Sequence, residues 1–294
     1  MSIYRITYLS GGFHIKGYLG IPYYFPYSKI EIQTWLQNVY GNTHDLAVET
    51  VSFDLRAPYG AGFDGPSLAP LTCFPEDLEA ACPALIYCRG GIGRVGKVRL
   101  EWIEDFIRRG FVVFAPCYRG NEGGEGRDEF GGADVADVTS AYELLANAPF
   151  VKRNHITLLG FSRGSINATL AAVQVKVAHR LILWGGVSNL AATYEERTDL
   201  RRMLKRVIGG TPTRVPESYR MRSPICYASQ LNLPVLIVHG TNDIQVDVSH
   251  GVGMFHCLKQ LDKPVTFHCY ERLGHHLPYQ IHQAVVDRML EWCI

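Results

Sequence analysis

One five-residue segment constrains this chain more than any other: Gly160-Phe161-Ser162-Arg163-Gly164. It follows the apolar run Ile156-Thr157-Leu158-Leu159 and opens a stretch, Ser165 to Val175, that reads as helix. A strand, a Gly-x-Ser-x-Gly turn and a helix together make a nucleophile elbow. Glycines on both flanks let the backbone bend sharply and keep the space around the hydroxyl clear. The serine then stands at a helix N-terminus, where outward-pointing N–H groups favour negative charge.

A nucleophilic serine needs a base to take its proton, and the base needs an acid to orient it. In this architecture the chain order is serine, acid, histidine. After Ser162 comes the buried-strand run Pro234-Val235-Leu236-Ile237-Val238, ending in His239-Gly240-Thr241-Asn242-Asp243. The strand-like run Pro264 to Tyr270 follows, ending in Arg272-Leu273-Gly274-His275-His276. Asp243 and the two histidines therefore fall on loops just past strand ends, where chemistry collects in open parallel sheets. Asp243 also reads as a cap for a helix starting near Val246. His275 is favoured as the base because it directly follows Gly274, with His276 as the alternative. His239 lies inside the strand end and reads as a packed histidine supporting its loop.

The oxyanion of an acyl transfer needs donors fixed before charge develops. One expected donor is the backbone N–H of Arg163, directly after the serine. The other is expected from the loop after the strand Ala84 to Cys88, which reads Arg89-Gly90-Gly91-Ile92-Gly93. That loop does not match G-x-G-x-x-G and no G-K-[ST] follows, so a phosphate cradle is not indicated. No His–carboxylate spacing matches H-E-x-x-H, and neither a metal nor a cofactor is expected.

The remaining segments alternate. Helix 97–109 carries Trp102, Ile103, Phe106 and Ile107 at helical spacing, strand 111–116 follows, helix 135–147 precedes the elbow strand, and a last helix spans about 278–292. Strands alternating with helices imply a mostly parallel central sheet covered by helices on both faces. Segments 3–9 and 14–20 read as initial antiparallel strands, and the edge of the first offers a surface through which two copies can pair into a homo-oligomer. A length of 294 residues, 47% hydrophobic and 19% charged, fits one large α/β domain. A net charge of +1 gives no footprint for nucleic acid. No apolar run approaches the roughly 18 residues of a membrane span. The N-terminus shows no basic region followed by an apolar stretch, so no signal peptide is expected. The eight cysteines form no C-x-x-C pair and read as free thiols in a reducing, cytoplasmic setting.

These residues carry a resemblance. The chain resembles the catalytic domain of the prolyl oligopeptidase family of serine hydrolases, within the α/β-hydrolase fold. Ile6-Thr7-Tyr8-Leu9-Ser10 with Lys16-Gly17-Tyr18-Leu19-Gly20 is similar to the family's lead-in strands. Tyr118-Arg119-Gly120, then Gly123-Gly124-Glu125-Gly126 and Asp134 to Val138, is similar to its segment before the elbow. The most specific match is Arg222-Ser223-Pro224 followed by His239-Gly240-x-x-Asp243-x-x-Val246, and Gly274-His275 matches the family's histidine. The resemblance implies a triad of Ser162, Asp243 and His275. Three positions depart from the pattern. Ile92 stands where proline is usual, Arg89 where tyrosine or histidine is frequent, and Ser165 where glycine is usual. Without a tyrosine hydroxyl at position 89, the N–H of Gly91 becomes the expected second oxyanion donor. Arg89 is expected either to reach a substrate carboxylate or to pair with a local acid, and Tyr118 is a further candidate contact.

Many family members carry a β-propeller before this domain. Residues 1–80 show no repeat at blade-like spacing, so access is expected to be set by local loops. The chain 1–294 is therefore read as a single α/β-hydrolase domain with N-terminal strands and an insertion in 1–80 and a lid-like insertion at 189–222. Ile30 to Leu36 reads as a short helix in the first. The second carries Arg197, Arg201, Arg202, Lys205 and Arg206, read most simply as a solvated helix face, or else as a cluster that attracts an anionic substrate. The resemblance implies a serine hydrolase cleaving a short peptide or N-blocked amino acid through an acyl-enzyme. A carboxylesterase acting on small acyl esters is the alternative.

Overall fold

The computed structural model describes residues 2–23, 25, 27–41, 46–51 and 81–294. Much of the expected insertion in 1–80 lies outside the described residues. Strands β1 (Ser2–Ser10) and β2 (Phe13–Ile21) form the expected antiparallel hairpin. Helix α1 (Lys29–Tyr40) follows. It starts where Ser28 and Glu31 cap each other: the Ser28 hydroxyl accepts from the Glu31 N–H at 3.3 Å, and the Glu31 carboxylate accepts from the Ser28 N–H at 2.7 Å. Ile32, Trp35 and Leu36 form its buried face, spaced as neighbours on one side of a helix.

One short strand was not legible in the sequence. β3 (Val48–Thr50) pairs antiparallel with β1 at Tyr4 to Ile6. The expected open edge on the first strand is therefore corrected: β1 lies between β2 and β3, and β3 occupies the sheet edge among the described residues. Only Val48 of the three residues is buried, so periodicity had almost nothing to report.

Next come β4 (Cys82–Cys88), α2 (Leu100–Ile107), β5 (Val112–Pro116), α3 (Val135–Ala146), β6 (Val151–Phe161), α4 (Gly164–Val175) and β7 (Arg180–Trp184). After them lie α5 (Leu190–Glu196), α6 (Arg201–Ile208), α7 (Pro216–Arg220), β8 (Val235–Gly240), α8 (Val248–Gln260), β9 (Val265–Tyr270) and α9 (Tyr279–Cys293). The sheet runs β3-β1-β2-β5-β4-β6-β7-β8-β9. β2 meets β5 antiparallel, and every pairing from β5 to β9 is parallel.

Because successive strand residues point to opposite faces, each parallel strand divides its apolar run between two layers. Leu85, Val113, Leu159, Ile182 and Leu236 face α2 and α9, which supply Trp102, Ile103, Phe106, Val286 and Met289. Ala84, Ile86, Phe114, Leu158, Leu181 and Ile237 face the other layer, with Val138, Ile166 and Met254 from α3, α4 and α8. Each fully buried Leu or Ile contributes on the order of 1.5–3 kcal/mol. This is the expected α/β-hydrolase architecture, with helices on both faces of a mostly parallel sheet. Chain order places β5 on one side of β4 and β6 on the other. The carboxyl ends of β4 and β6 thus flank a topological switch point, where a crevice opens.

Candidate active site

The elbow is built as its glycines require. β6 ends at Phe161, α4 begins at Gly164, and Ser162 between them has φ of +55°. A non-glycine residue in that region costs roughly 1–3 kcal/mol, which the surrounding bonds offset. The Ser162 N–H donates to Trp184 O at 2.9 Å, and its carbonyl accepts from Val187 and Ser165. A side chain at Gly164 would bring its Cβ within 2.0 Å of Cys88 O, so the helix can approach β4 only with glycine there. Ser165, the departure from the family pattern, donates its hydroxyl to Gly160 O at 2.9 Å. Gly186 makes room for it, since a Cβ there would stand 2.2 Å from Ser165 Oγ.

Two loops past β8 and β9 bring an acid to an imidazole. Asp243 Oδ2 lies 2.7 Å from Nδ1 of His275, with both side chains buried. The Asp243 Oδ1 accepts the N–H groups of Gln245 and Val246, each at 2.9 Å. Asp243 therefore caps the turn as well as holding the imidazole, one oxygen for each task. The helix α8 has its own cap in Asp247, which accepts from the Ser249 N–H. Burial pushes the Asp243 carboxyl up, but the His239 ring with Nε2 3.5 Å away, the hydrogen bond with His275 and the Val246 N–H outweigh it and hold the group well below the usual carboxylate range. His239 is buried with Nε2 on Val246 O at 2.9 Å, bracing the acid loop. Gly185 admits the pair: a Cβ there would meet His275 Nδ1 at 3.2 Å and Asp243 Oδ2 at 3.3 Å.

His275 Nε2 is buried and has no hydrogen-bond partner among the described residues. Its ring packs 4.7 Å from that of Phe161, the residue before Ser162. His276 also packs on Phe161, at 5.6 Å, but its Nε2 lies 3.4 Å from Arg99 Nη2. Partial desolvation and the Arg99 charge lower its pKa to about 4, so it is neutral near pH 7. Of the two histidines, it is His275 that meets Asp243.

The glycine loop after β4 lies against the elbow. A Cβ on Gly90 would stand 2.9 Å from Ser162 Cβ. Gly91 has φ of +64°. Among the described residues, neither its N–H nor that of Arg163 donates a hydrogen bond. The Arg163 side chain, not anticipated from the sequence, is 2% exposed and anchors the loops around it. Its Nη1 donates to Gly91 O at 3.0 Å and to Asp128 at 3.0 Å, and its Nη2 to Asp128 and Asp134, both at 2.6 Å. Asn167 also donates to Asp134, at 2.7 Å. Burial disfavours the guanidinium charge, but Asp128 and Asp134 raise its pKa, and Arg163 in turn keeps the buried Asp128 carboxyl ionised.

Arg89 and Tyr118 do not stand where a substrate contact requires. Arg89 is 1% exposed and Tyr118 fully buried. The Arg89 guanidinium donates to the carbonyls of Gly90, Gly91 and Cys117. The Tyr118 ring lies 4.7 Å from the Arg89 guanidinium and 4.8 Å from that of Arg163. Arg89 lies 3.7 Å from Asp128, so its expected pairing with a local acid is the arrangement the structure displays. Among the described residues, no group of three or more His, Cys, Asp and Glu is arranged to hold a metal ion. No described helix is long and apolar enough to cross a membrane.

The family model for the prolyl oligopeptidase family matches residues 98–293, which include Ser162, Asp243 and His275. The chain belongs to the prolyl oligopeptidase family. An uncharacterized peptidase, YtmA, of Bacillus subtilis (strain 168) is 46% identical over 208 residues, covering 70% of this chain and 81% of the relative. Dipeptidyl-peptidase 5 of Porphyromonas endodontalis is 24% identical over 230 residues, and there the match spans only 33% of the relative. Among solved structures, an acylaminoacyl peptidase of Pyrococcus horikoshii superposes with a TM-score of 0.68 at 17% identity, over 98% of this chain and 40% of that one. Membership makes the chain a serine hydrolase of the peptidase kind.

Within this family member, α5, α6 and α7 fill the 189–222 segment. Arg197 donates from Nη1 to Gln245 O at 2.7 Å, bracing the acid loop, and pairs with Asp199. Arg201 binds Tyr194 O and Glu195. Arg201 is thus engaged within its own segment, whereas Arg197 reaches across to the acid loop. His250 of α8 ties this segment down: its Nδ1 accepts from the Ser188 N–H at 3.2 Å, and its Nε2 meets Glu196 at 3.0 Å.

Proposed function

We propose that Ser162, His275 and Asp243 act as a catalytic triad that cleaves short peptides or acyl-amides through an acyl-enzyme. The reading rests above all on the 2.7 Å contact between Asp243 Oδ2 and His275 Nδ1 beside the strained Ser162 turn. Asp243 holds Nδ1 protonated, which leaves Nε2 as the base. His275 takes the Ser162 proton as the oxygen attacks the substrate carbonyl carbon. The N–H groups of Arg163 and Gly91 receive the oxyanion. His275 then gives the proton to the leaving amine, and water repeats the sequence to release the acid and restore Ser162.

The substrate class follows the relatives. An acylaminoacyl peptidase with the same fold has been captured with Z-Gly-Gly-Phe-chloromethyl ketone, and another fold neighbour is a puromycin hydrolase. The 189–222 helices serve as the local screen over the site. Unpaired thiols at Cys88, Cys117, Cys226, Cys257, Cys269 and Cys293 support a reducing, cytoplasmic setting.

The test measures kcat/KM on N-blocked aminoacyl p-nitroanilides beside short p-nitrophenyl esters, with fluorophosphonate labelling mapped to its residue. Amide turnover and a label on Ser162 are expected. Ester turnover with no amide turnover would replace the peptidase by an esterase, and a label elsewhere would remove the triad.

A further inference from the structure

We infer that Arg89 is a positioning residue for the oxyanion donor Gly91, a role that rests on the acyl-transfer reading above. In a planar trans peptide the C=O and N–H point in opposite directions. The Gly91 N–H therefore belongs to a plane whose other end is the Gly90 carbonyl. Arg89 Nη1 grips that carbonyl at 3.1 Å. It also reaches the next one, Gly91 O, at 3.3 Å, where Arg163 Nη1 joins it at 3.0 Å. Two successive peptide planes are thus pinned from the protein side, and the N–H between them is held toward the crevice.

The guanidinium is itself fixed. Its Nη2 donates to Cys117 O at 2.7 Å at the end of β5, and its plane lies over the Tyr118 ring. The loop has been shaped around it: a Cβ on Gly96 would stand 2.3 Å from Arg89 Nη1, and one on Gly91 would stand 2.9 Å from Gly96 Cα. A loop this rich in glycine has high conformational entropy, which conflicts with an oxyanion site that needs a donor already oriented. A buried guanidinium resolves the conflict, because its planar fork binds several carbonyls at once. Lysine offers a single ammonium and cannot bridge all three.

The experiment compares wild type, Arg89→Met and Arg89→Lys by kcat and KM on a p-nitrophenyl ester and by inhibition with a peptide aldehyde, which forms a tetrahedral oxyanion on the serine. Losing one oriented donor lowers kcat on the order of 10²–10³-fold. Arg89→Met is expected to show that loss with KM within about threefold, and to weaken aldehyde binding by a similar factor. Arg89→Lys should fall between the two. An aldehyde affinity equal to that of wild type, or a loss carried wholly by KM, overturns the proposal. Should Arg89→Met fail to fold, Arg89→Lys decides by the same two ratios. Wild-type protein that turns over no ester and takes no fluorophosphonate would overturn the acyl-transfer reading itself. An active wild type with an undiminished Arg89→Met overturns this inference alone.

Discussion

Asp243 divides its two oxygens between His275 and the backbone of its own loop: Oδ2 stands 2.7 Å from the imidazole Nδ1, and Oδ1 takes two N–H groups at 2.9 Å. An amide in its place can keep one task by geometry but loses the charge that fixes the tautomer. Asp243→Asn is expected to lower kcat by roughly 10⁴ while leaving the fold intact. Steady-state kinetics beside a circular dichroism spectrum check this, and retention of most activity would refute the assignment.

The same carboxylate makes stability depend on pH. Its folded pKa lies below the unfolded value of about 3.9. Stabilisation is therefore complete above the unfolded pKa and is lost as pH falls through the folded one. The unfolding free-energy gap between wild type and Asp243→Asn should be widest near about pH 6 and shrink toward about pH 3. Urea titrations at both pH values measure it, and a gap that widens on acidification contradicts the sign.

Ser162→Ala removes the attacking oxygen. A loss on the order of 10⁶ in kcat is expected if the three residues work as a unit, and the double variant with His275→Ala should be scarcely slower. Independent, multiplicative losses would show that they do not act together.

Gly164 offers a steric test of the elbow. The Cβ of Gly164→Ala would lie 2.0 Å from Cys88 O, a backbone atom at the start of the Arg89-to-Gly93 loop. Overpacking of this kind costs about 1–3 kcal/mol or more. Both the thermal midpoint and kcat should fall, and an unchanged midpoint would argue against the close approach of α4 to β4.

Ser165 and Gly186 should be coupled. Gly186→Ala drives a methyl into Ser165 Oγ and is expected to destabilise by about 1–3 kcal/mol, most of it relieved in a Ser165→Gly background. A double-mutant cycle with no interaction energy would show that the two side-chain spaces are independent.

Much of this was legible along the chain. The apolar runs of β4 to β9 and the amphipathic spacing of α2 belong to contiguous residues, so their period survives in the sequence. β3 was not legible, since three residues with a single buried side chain carry no period. Arg89 shows the other limit. Its residue type fitted a substrate carboxylate, but its partners are the Gly90, Gly91 and Cys117 carbonyls, and no local pattern marks a carbonyl as an acceptor.

By itself the sequence determined the succession of strands from β4 to β9, the sharp turn at Ser162 and the short set of candidate acids and bases, because turn glycines and strand ends are local properties. Only the tertiary structure decided that His275 and not His276 faces Asp243, and that Arg163 and Arg89 turn inward to hold the loops. Which of two neighbouring rings meets a carboxylate depends on how a distant loop approaches them, and a guanidinium settles wherever distant segments leave carbonyls and carboxylates that would otherwise be buried unpaired.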